Sequence, residues 1–210
     1  MQEHFLDTTR TARYFTLGDP VSAAELWFVG HGYGQLASRF LERFRGIDVE
    51  GRCIVAPEGL SRFYLTDTPT ERRVGASWMT REDRLHEIDD YVRYLDALYG
   101  ALGAARTKVT ALGFSQGTAT MSRWAALGSS RIDRLILWGG EVPPDLELHR
   151  LRVPRLELVY GTRDQFFTPK IVATNEARLR EQRVPYELIS FDGAHELDAA
   201  TLSRVAGARI

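Results

Sequence analysis

The 210-residue chain has one cysteine, Cys53, so no intrachain disulfide is available to staple the fold. Cys53 lies in the apolar run Arg52-Cys-Ile-Val-Ala56, which reads as a strand, and is expected to be a small buried hydrophobe. No run approaches the ~20 apolar residues that a bilayer span requires. The first ten residues, Met1 to Arg10, lack the apolar centre of a secretory signal, so a cytoplasmic protein is expected. A formal net charge of −1 gives no global attraction to nucleic acid or to anionic membranes, and neither is expected as a partner. His4, His86 and His149 have no paired ligands at metal spacing, so no metal site is expected.

What is present reads as a globular domain. Hydrophobic residues at 44% and charged residues at 26% are ordinary for a soluble domain, and the length suffices for one full core. With no repeat, linker or low-complexity tract, residues 1–210 are expected to form a single domain. The segment from His4 to Thr16 alternates loosely before Gly18-Asp19-Pro20 and predicts an edge strand or hairpin. Strands are predicted near residues 25–29, 52–56, 107–112, 134–138, 155–160 and 186–191. Helical patterns fall between them, at 35–45, 82–98, 118–127 and 169–183, with a closing helix at 197–208. In the second of these, Leu85, Ile88, Val92, Leu95 and Leu98 recur at spacings of three and four, a one-sided apolar stripe. Alternating strands and helices predict an α/β fold whose mainly parallel twisted sheet carries helices on both faces, without a separate cap domain.

The most informative stretch is Gly113-Phe114-Ser115-Gln116-Gly117, placed between a predicted strand and a predicted helix. A serine between two glycines at such a turn is the signature of a nucleophile elbow, where the backbone is strained and side chains at the glycine positions would clash. A serine hydroxyl needs a base to take its proton, an acid to orient that base, and N–H donors for the oxyanion. In this arrangement the acid follows the serine and the histidine follows the acid. Asp164 stands in the loop after the strand ending at Tyr160, and His195 in the loop after the strand ending at Phe191. Glu141, after Leu137-Trp-Gly-Gly140, is the alternative acid, while Asp192 and Asp198 read as ordinary loop carboxylates. Oxyanion donors are expected from the backbone of Gln116 and of Tyr33, in the loop Gly30-His-Gly-Tyr-Gly34. His31 precedes the serine, the wrong order for the base, and reads as a loop-stabilising residue.

Residues 57–81 are long for a connection in a domain of this size and are expected to overhang the site. Phe63, Tyr64 and Trp78 from this segment, with Tyr33 and Phe166, are expected to wall an acyl pocket. The competing reading is that the aromatics pin the loop to the body. Arg62, Arg72, Arg73 and Arg81 read as solvated.

From about Ala24 to Leu197 the chain resembles the α/β-hydrolase superfamily, and within it the small carboxylesterase, lysophospholipase and acyl-protein thioesterase group. The resemblance rests on Gly-Phe-Ser-Gln-Gly at 113–117, His31-Gly32 with Tyr33-Gly34, Ala56-Pro57, the acid loop with Gly161, Asp164 and Pro169, and the loop Gly193 to His195. The chain departs from the group at Tyr160, where a histidine is usual; after the oxyanion glycine, where an acidic or amide-bearing residue is common, it has Gln35 and then Leu36. These departures count against an enzyme of acylated proteins. The resemblance implies a cofactor-free hydrolase of small-molecule acyl esters. Bulky aromatic walls without a cap predict a preference for short to medium acyl chains, lengthened by Trp78→Ala. An acyl-thioesterase or lysophospholipase of longer chains stays open. So do a cofactor-free perhydrolase or haloperoxidase, and a catalytically silent binding protein. Nothing in the residues chooses between monomer and homodimer.

Overall fold

The computed structural model describes residues 1–66 and 72–207. Among them seven strands form one sheet in the order β1-β3-β2-β6-β7-β8-β9. These are β1 (Tyr14–Leu17), β2 (Glu25–Gly30), β3 (Arg52–Pro57), β6 (Lys108–Phe114), β7 (Arg134–Trp138), β8 (Leu156–Gly161) and β9 (Glu187–Phe191). All neighbours run parallel except β1, which pairs antiparallel with β3 at the edge. The two remaining strands, β4 (Ser61–Tyr64) and β5 (Val74–Ser77), form a separate antiparallel hairpin.

Successive side chains of a strand point to opposite faces, so a strand covered on both sides must be apolar throughout. In β2, Leu26 and Phe28 face one core while Trp27 and Val29 face the other. β3 divides in the same way, with Cys53 and Val55 opposite Ile54 and Ala56. The first core is closed by α2 (Arg84–Ala101) and α3 (Gln116–Leu127), through Ile88, Tyr91, Leu95, Met121 and Trp124, and takes in Leu179 of α4 (Pro169–Glu181). The second is closed by α1 (Ala37–Leu41) with the 3-10 turn that follows it, and by α5 (Ala199–Val205), through Phe40, Phe44, Leu202 and Val205. Cys53 is buried, and burial pushes its thiol up to about 11, so it behaves as a hydrophobe.

The fold departs from two sequence expectations. The predicted strand from His4 to Thr16 is β only from Tyr14. Tyr14 pairs with Pro57, the last residue of β3, so the ladder has no partner to continue along toward His4. The long connection at 57–81 is not a plain loop, because β4 and β5 satisfy each other's backbone groups. Residues 67–71 of that connection, and Ala208 of the predicted closing helix, lie outside the described residues. Among the described residues no helix is long and apolar enough to cross a membrane, and no cluster of His, Cys, Asp and Glu is arranged to hold a metal ion.

Candidate active site

The site lies beyond the carboxyl ends of β2, β6, β7, β8 and β9, where an open α/β sheet leaves room between its loops. Ser115 joins β6 to α3 with φ 54° and ψ −117°, a conformation that a side-chain-bearing residue rarely adopts and that costs of the order of 1–3 kcal/mol. The turn is fastened on both sides. The Ser115 amide donates to the Trp138 carbonyl at 2.9 Å, and the Ser115 carbonyl accepts from the Thr118 amide at 3.0 Å and its hydroxyl at 2.6 Å. A Cβ at Gly113 would fall on the carbonyl of Gly117, and one at Gly117 on the carbonyl of Gly30. Both glycines are therefore dictated by close backbone approach.

Asp164 is 4% exposed. Its Oδ1 accepts the amides of Phe166 and Phe167 at 2.8 and 2.9 Å, and its Oδ2 meets Nδ1 of His195 at 2.7 Å. A carboxylate accepts only, so in the neutral imidazole this bond places the proton on Nδ1 and turns Nε2 into the acceptor, the tautomer required of a base. The His195 ring packs against Phe114 and Phe166, each with centroids 5.0 Å away, and a Cβ on Gly139 would come within 3.1 Å of it. Ser115 and His195 line one cleft of about 360 Å³, with Phe166 also on its wall. Glu141 lines that cleft too, but the hydrogen-bond partner of His195 is Asp164.

The loop after β2 lies directly against the elbow, since a Cβ on Gly32 would stand 3.1 Å from Cβ of Ser115. Tyr33 precedes the Gly34 amide, which donates to the Ala76 carbonyl at 2.9 Å. Among the described residues the amides of Tyr33 and Gln116 donate to no protein acceptor. For Gln116 this follows from its place as the first residue of α3, where an amide has no intrahelical acceptor.

His31 is fully buried beneath this loop. Its Nδ1 donates to the Gly32 carbonyl at 2.8 Å and its Nε2 accepts the Gly59 amide at 2.9 Å, so the ring is neutral and bridges two segments. Burial pushes its pKa below the ordinary value. The Gln35 side chain accepts the Gly32 amide at 2.8 Å, so the amide that the sequence supplies at this position is used to hold the loop.

The expected acyl wall is only partly formed. Phe166 is on the cleft, whereas Tyr33, Phe63, Tyr64 and Trp78 are not on its walls. Trp78 is 2% exposed, stacks on His31 at 5.0 Å and donates its indole N–H to the His31 carbonyl at 2.8 Å. It supports the loop from behind, because an indole with one polar end is held where that end finds an acceptor. Phe63 packs on the exposed Tyr33 ring at 5.1 Å, and Tyr64 points to solvent.

Three features escaped sequence reasoning. The side chain of Gln116 donates to the Met79 carbonyl at 2.8 Å and accepts the Trp78 amide at 3.1 Å, latching the segment after β5 to the elbow. The buried Glu58 takes Arg13 at 2.6 Å, Arg62 at 3.2 Å and the Ala37 amide at 3.2 Å. Burial opposes its ionisation, but these donors hold its pKa below the ordinary value. The cleft also carries Arg84 and Arg123, which share Asp145 at 2.8 and 2.9 Å. Only the lone Glu58 after Ala56-Pro57 gave a signal, a charge directly following an apolar strand.

The family described as alpha/beta hydrolase fold matches residues 54–187, and the chain belongs to it. Among solved structures, the chain is similar to esterase PE8 at 18% identity and a TM-score of 0.71, covering 94% of this chain and 97% of that one. Zea mays acyl-protein thioesterase 2 aligns at 15% identity and a TM-score of 0.74, over 94% and 97%. A carboxylesterase from Mesorhizobium loti aligns at 19% identity and a TM-score of 0.68, over 93% of each chain. No curated protein matches the chain by sequence.

Proposed function

We propose that the chain is a single-domain carboxylesterase-type serine hydrolase of small-molecule acyl esters. The observation that carries this reading is the 2.7 Å bond from Asp164 to His195 in a cleft shared with the strained Ser115. In the proposed reaction His195 Nε2 takes the Ser115 proton as Oγ attacks the acyl carbon. The carbonyl oxygen becomes an anion that accepts the amides of Tyr33 and Gln116. Collapse of this intermediate breaks the ester bond, and His195 returns its proton to the leaving alkoxide. Water, deprotonated by the same nitrogen, then attacks the acyl-enzyme; the acyl–Oγ bond breaks, His195 returns the proton to Ser115 Oγ, and the acid is released. Asp164 stays ionised throughout and offsets the imidazolium charge. Every role is filled by side chains and amides of the chain.

The cleft supports short to medium acyl chains, roughly C2 to C8, since each buried methylene adds at most ~0.8 kcal/mol and the gain stops when the cleft is full. The likeness to an acyl-protein thioesterase favours a second reading, a thioesterase or lysophospholipase of longer chains. Against it, the cleft walls carry Arg84, Arg123, Glu141 and Asp145, poor company for a long alkyl chain. A series of p-nitrophenyl esters from acetate to palmitate tests the choice. Peak kcat/KM at or below C8 is expected; a several-fold preference for palmitate over butyrate would install the second reading.

A further inference from the structure

With Asp164 on His195, Glu141 is left without a role in the reaction, yet it lines the cleft that holds Ser115 and His195. It follows β7 and the Gly139-Gly140 pair and is half-buried. Among the described residues its carboxylate has no hydrogen-bond or ion-pair partner. The cations around it are already engaged. Arg84 and Arg123 both bind Asp145, and Arg178 donates to the carbonyls of Val142, Pro143 and Leu146. Burial pushes the Glu141 pKa up, and the field of Arg178 only partly opposes that shift. A half-buried carboxylate under-compensated by its protein neighbours carries a desolvation cost, and such a cost is sustained most readily where a ligand completes the pairing. A neutral donor would satisfy one lone pair, whereas a cation would also offset the charge. Phe166, on the same cleft, adds an aromatic side chain of the kind that attracts a quaternary ammonium.

We propose that Glu141 is a specificity-determining residue that selects esters bearing an ammonium group, docking the cation against its carboxylate while Ser115 attacks the acyl carbon. This inference rests on the hydrolase reading above. The test compares two ester pairs in the wild type and in Glu141→Gln. With the charge on the alcohol side, butyrylcholine is set against 3,3-dimethylbutyl butyrate. With the charge on the acyl side, ethyl 4-(trimethylammonio)butyrate is set against ethyl 5,5-dimethylhexanoate. In at least one pair the wild type should favour the cationic member by ~10-fold in kcat/KM, mostly through KM, and the ratio should collapse toward one in Glu141→Gln. Equal rates within both pairs in the wild type, or a preference that survives Glu141→Gln, would overturn the inference while leaving the hydrolase reading intact. If none of the four esters is hydrolysed, the hydrolase reading fails and docking is judged by NMR titration with tetramethylammonium. Saturable binding that is lost in Glu141→Gln supports the docking site; no binding, or equal binding by both proteins, overturns it.

Discussion

At the level of single residues, the proposed division of labour between Asp164 and Glu141 follows from their surroundings. Asp164 has two backbone amides on Oδ1 and His195 on Oδ2, while Glu141 has no such donors among the described residues. Asp164→Asn can present its amide N–H to Nδ1 and so favour the wrong tautomer. On an uncharged ester it should lower kcat by about 10³–10⁴-fold, far more than Glu141→Gln does. Steady-state kinetics of the two variants checks this, and the reverse order would move the acid to Glu141. The loops bearing Ser115, Asp164 and His195 were legible because each directly follows an apolar run. The place of Trp78 was not, because the sequence shows an aromatic in a long connection but not the buried carbonyl of His31 that its indole meets. Trp78→Ala should therefore destabilise the protein by ~3–5 kcal/mol in urea unfolding, rather than lengthen the preferred acyl chain.

Among the elements, the β6–α3 turn and the β4–β5 hairpin hold the two proposed oxyanion donors from opposite sides. The hairpin grips the loop after β2 through Gly34 to Ala76, and through the Ala76 amide to the Gln35 carbonyl at 3.1 Å. Gln116 ties the end of β5 to α3. Gly117→Ala would drive a methyl group into the Gly30 carbonyl at the base of this assembly. Thermal unfolding should show a loss of at least ~1–3 kcal/mol, with ester hydrolysis reduced in step; an unchanged midpoint would contradict the packing described here. The parallel strands and α2 to α4 were legible from apolar runs and helical spacing. The hairpin was not, since each of its strands has only four residues: β4 alternates half-buried with exposed positions, and the buried positions of β5 are the small Gly75, Ala76 and Ser77.

For the molecule as a whole, buried titratable groups set how stability varies with pH. The pKa of His31 lies below its ordinary value of 6.5, so the unfolded chain binds this proton more readily than the folded one. Its contribution is fully present above about pH 6.5 and is lost as pH falls from there through the depressed folded value. Glu58, also depressed, acts in a separate window below its ordinary 4.5. The urea midpoint should therefore begin to fall below pH 6.5, and His31→Gln should remove that early decline while keeping the later one. At this scale the sequence announced the α/β class but not the strand order, because β2 lies between β3 and β6 through crossovers that only packing of the helices decides. The whole proposed reaction passes through an acylated Ser115, and active-site labelling with a fluorophosphonate probe tests this step directly. Stoichiometric labelling of the native protein at Ser115 and none of Ser115→Ala is expected; equal labelling of both proteins, or none of the native protein, would rule out Ser115 as the nucleophile.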